Sequence, residues 1–121
     1  MTKYFNFFSD IRELRHGKKY FLESDFSISS YQFNPTIIDS SLVIESPSTT
    51  ILNANDSKVF GLSLKQIMKN HSKIDFVLRS HSSATETPYC VENFENYGFV
   101  RNLNEYTDEF ISFANKVNAK Y

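Results

Sequence analysis

One cysteine, no tryptophan, three glycines and no surplus of either charge set the first limits on this chain. The lone Cys90 cannot form an intrachain disulfide, and an unpaired thiol suits a reducing compartment, so the expected localisation is cytoplasmic. Thirteen basic and 14 acidic residues leave a net charge of -1, and nothing in the chain reads as the basic stripe of a nucleic-acid binder. The first residues, from Met1 to Asn6, lack the apolar stretch of a signal peptide. No run approaches the ~20 apolar residues that a membrane helix needs. No P-loop, G-x-G-x-x-G, H-E-x-x-H or paired-cysteine pattern is present, nor any internal repeat.

What remains is an ordinary globular composition with one bias. The 121 residues suffice for one modest domain, and 40% hydrophobic with 22% charged residues argues against disorder. Twelve Phe and seven Tyr are many for this length. They point to an aromatic core or to an aromatic interface with something outside the chain.

Residues 1–25 mix apolar residues (Phe5, Phe7, Phe8, Ile11, Leu14, Tyr20, Phe21) with charges and give no clear element. Arg12, Arg15, His16, Lys18 and Lys19 read as a solvated basic cluster. From Phe26 to Phe33 the alternation predicts a strand, and Asn34-Pro35 a turn. Ile38, Ser40, Leu42 and Ile44 share one face of a second strand, Ser46-Pro47-Ser48 turns the chain, and Thr49 to Asn53 returns.

A helix follows from about Phe60 to Asn70, with Phe60, Leu64, Ile67 and Met68 on one face and Ser57 or Ser63 as candidate caps. Ile74 to Leu78 is nearly all apolar, as expected of a strand covered on both faces. Residues 82–103 have loop character, with Pro88 and Gly98 as breakers. The last helix carries Tyr106, Phe110, Phe113, Ala114, Val117 and Tyr121 on one face after a candidate cap at Asn104, with no stop signal before its end.

The chemistry gathers at two strand ends. Asn53, Asn55 and Asp56 close the strand before the first helix; Arg79, Ser80, His81, Ser82 and Ser83 close the strand after it. Two parallel strands joined by a right-handed helical crossover put both clusters at one edge, where open α/β sheets bind ligands. Asp56 is either a divalent-metal ligand or an N-cap of the helix. His81 is either a ligand or proton relay, or a loop residue satisfied by its serine neighbours. Arg79 pairs with an anionic substrate, with Asp56, or structurally with another carboxylate.

A Ser-His-Asp hydrolase is disfavoured by the missing G-x-S-x-G elbow. His16 and His71 read as uninvolved, His71 suiting a helix C-terminus. Cys90 lacks an adjacent His and reads as a neutral thiol.

At these two ends the chain resembles a known family. Asn53-Ala-Asn55-Asp56 fits an N-x-N-D strand end, and Asp75 through Ser82 fits D-x-x-x-x-S-H-S. Over about residues 26–121 this resembles the second half of metallo-β-lactamase-fold metallo-hydrolases. The resemblance implies an α/β (α+β layered) fold, a partial αβ/βα sandwich with a mixed sheet and two main helices. It implies a metal-dependent hydrolase with zinc, iron or manganese, in which Asp56 matches the metal-bridging acid. His81 and Arg79 match the loop over the pocket. The H-x-H-x-D-H signature is absent, the isolated His ligand has no counterpart, and the family's final His lies beyond the last helix, in which Tyr121 is expected.

A catalytic zinc needs three protein ligands, so the site is incomplete and no stable metal binding is expected of this chain alone. The expected reading is a partial hydrolase, from a split or truncated gene, carrying one edge of the active site. Its partner would be the N-terminal half, or another copy through self-association, with neither nucleic acid nor membrane involved. Aromatic and aliphatic residues drawn from Phe26, Ile28, Tyr31, Phe33, Leu42 and Ile44 would then lie uncovered. The alternative is a small α/β binding or interaction module without metal chemistry.

Overall fold

The structure is a computed structural model and describes residues 11–32, 40–55, 57, 59, 61–79 and 103–121. Five strands and two helices follow in order: β1 (Lys19–Glu23), β2 (Phe26–Gln32), β3 (Ser40–Glu45), β4 (Thr50–Asn55), α1 (Gly61–Asn70), β5 (Phe76–Arg79) and α2 (Leu103–Val117). The strands form one mixed sheet in sequence order, β1-β2-β3-β4-β5. The first four are antiparallel, and β4 and β5 run parallel. This is the α/β class expected, with the strand–helix–strand unit where the sequence puts it.

Local chemistry explains the joints. Ser46 to Thr49 closes the β3–β4 hairpin: the Ser46 N–H bonds Thr49 O at 2.9 Å, and its hydroxyl oxygen accepts the Thr49 N–H at 3.2 Å. Pro47 supplies the preset φ that such a turn favours. Gly61 opens α1 at φ +57, a conformation that few other residues adopt cheaply. Strand β1 lies where the sequence predicts no element. Four of its five residues are exposed, so it has no burial alternation to read.

The strand register sorts the side chains onto two unlike faces. Val43, Leu52 and Val77 stand side by side on one, by the pairings Val43↔Leu52 and Leu52↔Val77. Both helices lie on this face: Leu64 and Ile67 of α1 and Phe113 and Val117 of α2 join Tyr31, Val43, Leu52 and Ala54 in the core. Each of the buried Val, Leu, Ile and Phe side chains contributes about 1.5–3 kcal/mol. The same face of β2 and β3 carries Ser27, Ser29 and Ser41, all buried. Small residues there let the helical layer come close. Ser41 bonds Ser57 Oγ at 2.6 Å, and Ser57 donates to Ala54 O at 2.7 Å, so Ser41 is the donor in the first bond.

The other face carries a row that crosses the whole sheet: Tyr20↔Ile28↔Ile44↔Ile51↔Phe76. Tyr121 extends it, because its N–H bonds Asp75 O at 2.9 Å while its carbonyl accepts the Val77 N–H at 3.0 Å. Its ring stacks on Phe76 at 5.1 Å. Among the described residues no helix covers this face.

Four expectations need correcting. Tyr31 belongs to the helix-covered face and is 2% exposed, whereas Phe26, Ile28, Leu42 and Ile44 do lie on the open one. Strand β5 is covered on one face only, leaving Phe76 39% and Leu78 55% exposed. The candidate cap Ser57 instead holds the end of β4, through Ala54. Finally, α2 does have a stop. It ends at Val117, and Asn118 takes the left-handed conformation at φ 47 with its N–H on Ala114 O at 2.9 Å. Asn is one of the few residues that serve there. Tyr121 is therefore outside the helix. Of the expected 82–103 loop, Leu103 already belongs to α2; the rest, with Pro88, Cys90 and Gly98, lies outside the described residues, as do Phe33 and Phe60.

The Asn118 stop is testable. Asn118→Gly is expected to leave stability within about 0.5 kcal/mol, while Asn118→Val, which resists positive φ, costs about 1–2 kcal/mol. Urea denaturation of the three proteins measures the difference; equal losses for both variants would remove the left-handed stop.

Candidate functional site

The β4–α1–β5 unit brings the expected strand ends together at one edge, with Asn53↔Leu78 and Asn55↔Arg79 as register partners and an irregularity between Asn53 and Asn55. Asp56 and His81 lie outside the described residues. Asn53 follows the open face with its partner Leu78. Arg79 follows the helix-covered face and is 7% exposed. Its Nη2 donates to Glu109 Oε1 of α2 at 3.0 Å, and its guanidinium lies 4.3 Å from the Phe113 ring centre and 6.0 Å from that of Phe110. Among the described residues a structural carboxylate, Glu109, is a partner of Arg79, and Asn53 and Arg79 lie on opposite faces of the sheet.

A cleft of about 190 Å³ beside Arg79 is lined by Val59, Leu64, Glu109, Ser112, Phe113 and Lys116. Small-molecule pockets usually run about 300–1,000 Å³, so this one is undersized. Asp75, at the other end of β5, accepts the Thr50 N–H at 3.0 Å and pairs with Lys73. The Lys73 ammonium, and then that amide, hold its carboxyl below the usual range. No group of three or more His, Cys, Asp or Glu side chains that could hold a metal ion occurs among the described residues.

The densest chemistry lies elsewhere, under the helix-covered face. His71 follows α1, its N–H still bonded to Ile67 O at 2.9 Å, and is 2% exposed. Its Nε2 is 2.8 Å from the Tyr31 hydroxyl, whose oxygen accepts from the Asn70 side-chain amide at 3.1 Å. Its Nδ1 lies 2.9 Å from Glu45 Oε1. That N–H does not point along the line to the oxygen, so the contact is more electrostatic than directional. Lys19 of β1 reaches the other carboxylate oxygen at 2.5 Å, and Ser27 donates to it at 3.3 Å.

The roles follow from what each atom can do. A carboxylate accepts and never donates, so Glu45 favours a proton on Nδ1. In the neutral ring Nε2 is then an acceptor, and the Tyr31 hydroxyl donates to it. A carboxylate that sets an imidazole tautomer toward a hydroxyl is the logic of a catalytic triad. With Tyr31 and His71 each 2% exposed, however, this relay is closed, and it ties three strands to the end of α1. Sequence reading sets His71 aside, places Tyr31 only among the residues expected to lie uncovered, and does not single out Glu45. The three lie far apart in the chain, and only the β2–β3 register puts Tyr31 and Glu45 on one face.

No family model, curated protein or solved structure matches the chain.

Burial alone pushes the Glu45 carboxyl up, but its bonds to Lys19 and His71 and their charges outweigh that and hold it below its usual 4.5. A lowered pKa contributes stability that is present above the ordinary value and is lost as pH falls through the lowered one. Glu45→Gln is therefore expected to be less stable than the native chain near neutral pH, with the gap closing on acidification below about 4.5. Tyr31→Phe, which leaves the buried His71 Nε2 without its partner, costs about 1–3 kcal/mol. Denaturation midpoints across pH check both; a pH-independent gap for Glu45→Gln would remove the charge pairing.

Proposed function

We propose that this chain is a small α/β interaction module that docks through the open face of its sheet. One observation carries this reading: the in-register row Tyr20, Ile28, Ile44, Ile51, Phe76 and Tyr121, which holds no ionisable group other than its two terminal tyrosines. The next row adds Leu42, Asn53 and Leu78, also uncharged. A charge pressed onto such a surface would be desolvated without a counter-ion, so the occupant must itself be apolar and flat. The occupant is a second copy of the same face. Lys18 lies over the Tyr20 ring and Lys120 over that of Tyr121, so cations sit near both ends of the row and favour pairing in its uncharged middle.

Size fixes the strength. At ~4.8 Å between strands and ~7 Å between alternate residues, the patch covers roughly 350–500 Å². That matches the largest patches of ordinary monomers, which are often functional. It falls below the ~800 Å² per partner of a stable complex, so the association is transient.

The second reading is the partial metallo-hydrolase. It draws support from the parallel β4–α1–β5 unit, which puts Asn55, directly before Asp56, in register with Arg79. In that case the same open face would receive the other half of a sandwich.

Sedimentation over a concentration series tests the docking. The native chain is expected to self-associate reversibly at about 0.1–1 mM, and Leu78→Glu to stay monomeric with unchanged circular dichroism. Leu78 is 55% exposed, so the new charge stays hydrated in the monomer. A native chain that remains monomeric throughout overturns self-docking. Tight stoichiometric zinc binding that Asp56→Ala abolishes would put the hydrolase reading in its place.

A further inference from the structure

We propose that His16 is a pH-sensitive latch, holding the segment before β1 against β2 and α1 while its imidazole is neutral and releasing it on protonation. The Gln32 backbone N–H donates to His16 Nδ1 at 3.0 Å. A backbone amide can only donate, so Nδ1 must be unprotonated. The one proton of the neutral ring is then on Nε2, which lies 2.9 Å from Gln66 Oε1, an acceptor. Both bonds require one tautomer, and it is the same tautomer. Protonation adds a hydrogen to Nδ1 that faces the Gln32 N–H, turning an attraction into a clash of donors.

The surroundings are built for this closure. Gly17 sits at φ +66 and its N–H bonds Ser30 O at 2.7 Å, part of an isolated parallel bridge between His16 and Ser30 that is separate from the antiparallel β1–β2 ladder. A side chain here would put its Cβ 2.8 Å from Gln66 Nε2, so the bare glycine leaves room for the amide that His16 grips. From β2, the titratable neighbour is Tyr31, whose ring meets His16 edge-on at 5.8 Å; His71 stands behind it, followed by Glu45 and Lys19. From α1 comes neutral Gln66, flanked in sequence by Lys65 and Lys69. Glu13 and the cations Arg12, Arg15 and Lys18 share its own segment. No carboxylate pairs with His16 among the described residues, and the ring is exposed, so an imidazolium is better solvated by water than held against the Gln32 N–H. Imidazole is the side chain whose ordinary charge change falls between pH 5 and 8, and release uncovers the Tyr31 edge of the buried cluster.

Amide hydrogen exchange of the full chain, corrected for intrinsic rates, tests the latch at about pH 7.5 and about pH 5.5. Protection at Gly17 and Gln32 is expected to fall about fivefold to tenfold at the lower pH, while Val43 and Leu52 hold theirs. In His16→Asn the side-chain oxygen still accepts the Gln32 N–H but does not titrate, so protection stays level. Gly17→Ala displaces Gln66 and is expected to lower protection at both pH values. Unchanged protection in the native chain, an equal fall in His16→Asn, or an equal loss at Val43 would each overturn the latch. Imidazole ¹⁵N shifts provide a check without any variant. A neutral ring protonated on Nδ1 at the higher pH would also overturn it.

Discussion

The register between β3 and β4 is the constraint on which the rest of the molecule depends. It sets Val43 beside Leu52 and Ile44 beside Ile51. A slip of one residue would exchange the two faces, because side chains alternate with a period of two. The helices then choose between them. The chosen face is the less hydrophobic one on β2 and β3, where serines alternate with Tyr31 and Val43. The β2 and β3 serines make that intelligible. A helix packs closest over small side chains, and each buried hydroxyl can be satisfied locally, as in the Ser41–Ser57–Ala54 chain. Isoleucines in those places would hold the helical layer further off.

This choice forces the buried polar cluster. Glu45 is on the covered face of β3 simply because Val43 is, two residues earlier. A carboxylate there has to be neutralised, and Lys19 and His71 arrive from opposite sides to do so. His71 then needs a second partner, which Tyr31 supplies, and the Tyr31 oxygen is completed by Asn70. Each link answers the desolvation of the one before. The result joins β1, β2, β3 and the end of α1 by electrostatics where the apolar core is thin. Breaking one member leaves another buried and unsatisfied, so the cluster is costly to disturb even where its net contribution is small.

Much of the plan was legible in the residues. The β2 alternation, the Ser46-Pro47 hairpin, the α1 stripe and the apolar β5 run each have a local cause, and the parallel pairing follows from the helix between β4 and β5. What was not legible depends on partners distant in the chain. Strand β1 has no pattern of its own and exists because β2 offers an edge. Apolarity alone predicts two-sided cover for β5, but Phe76 and Leu78 are apolar and open. The importance of His71 appears only once register and helix placement bring Glu45 and Tyr31 to it. Asn118 is a different case: a known stop residue stood in plain view, and the long apolar stripe reaching Tyr121 outweighed it.

Of the expected site, the chain reveals the scaffold more than the chemistry. Parallel pairing brings Asn55 and Arg79 to one edge, yet Arg79 turns under α2 to Glu109 while Asn53 follows the open face. A side chain already neutralised and stacked on Phe113 is poorly placed to receive an anionic substrate, because it would have to give up its carboxylate and its aromatic contact first. The open face asks for no such exchange. Its row is assembled by strand pairing alone, and lysines lie over the rings of its two end tyrosines. A sheet covered on one side has one unspent hydrophobic surface. Among the described residues that surface, and not the strand edge, is the one on which the proposed docking would add free energy without first undoing the fold.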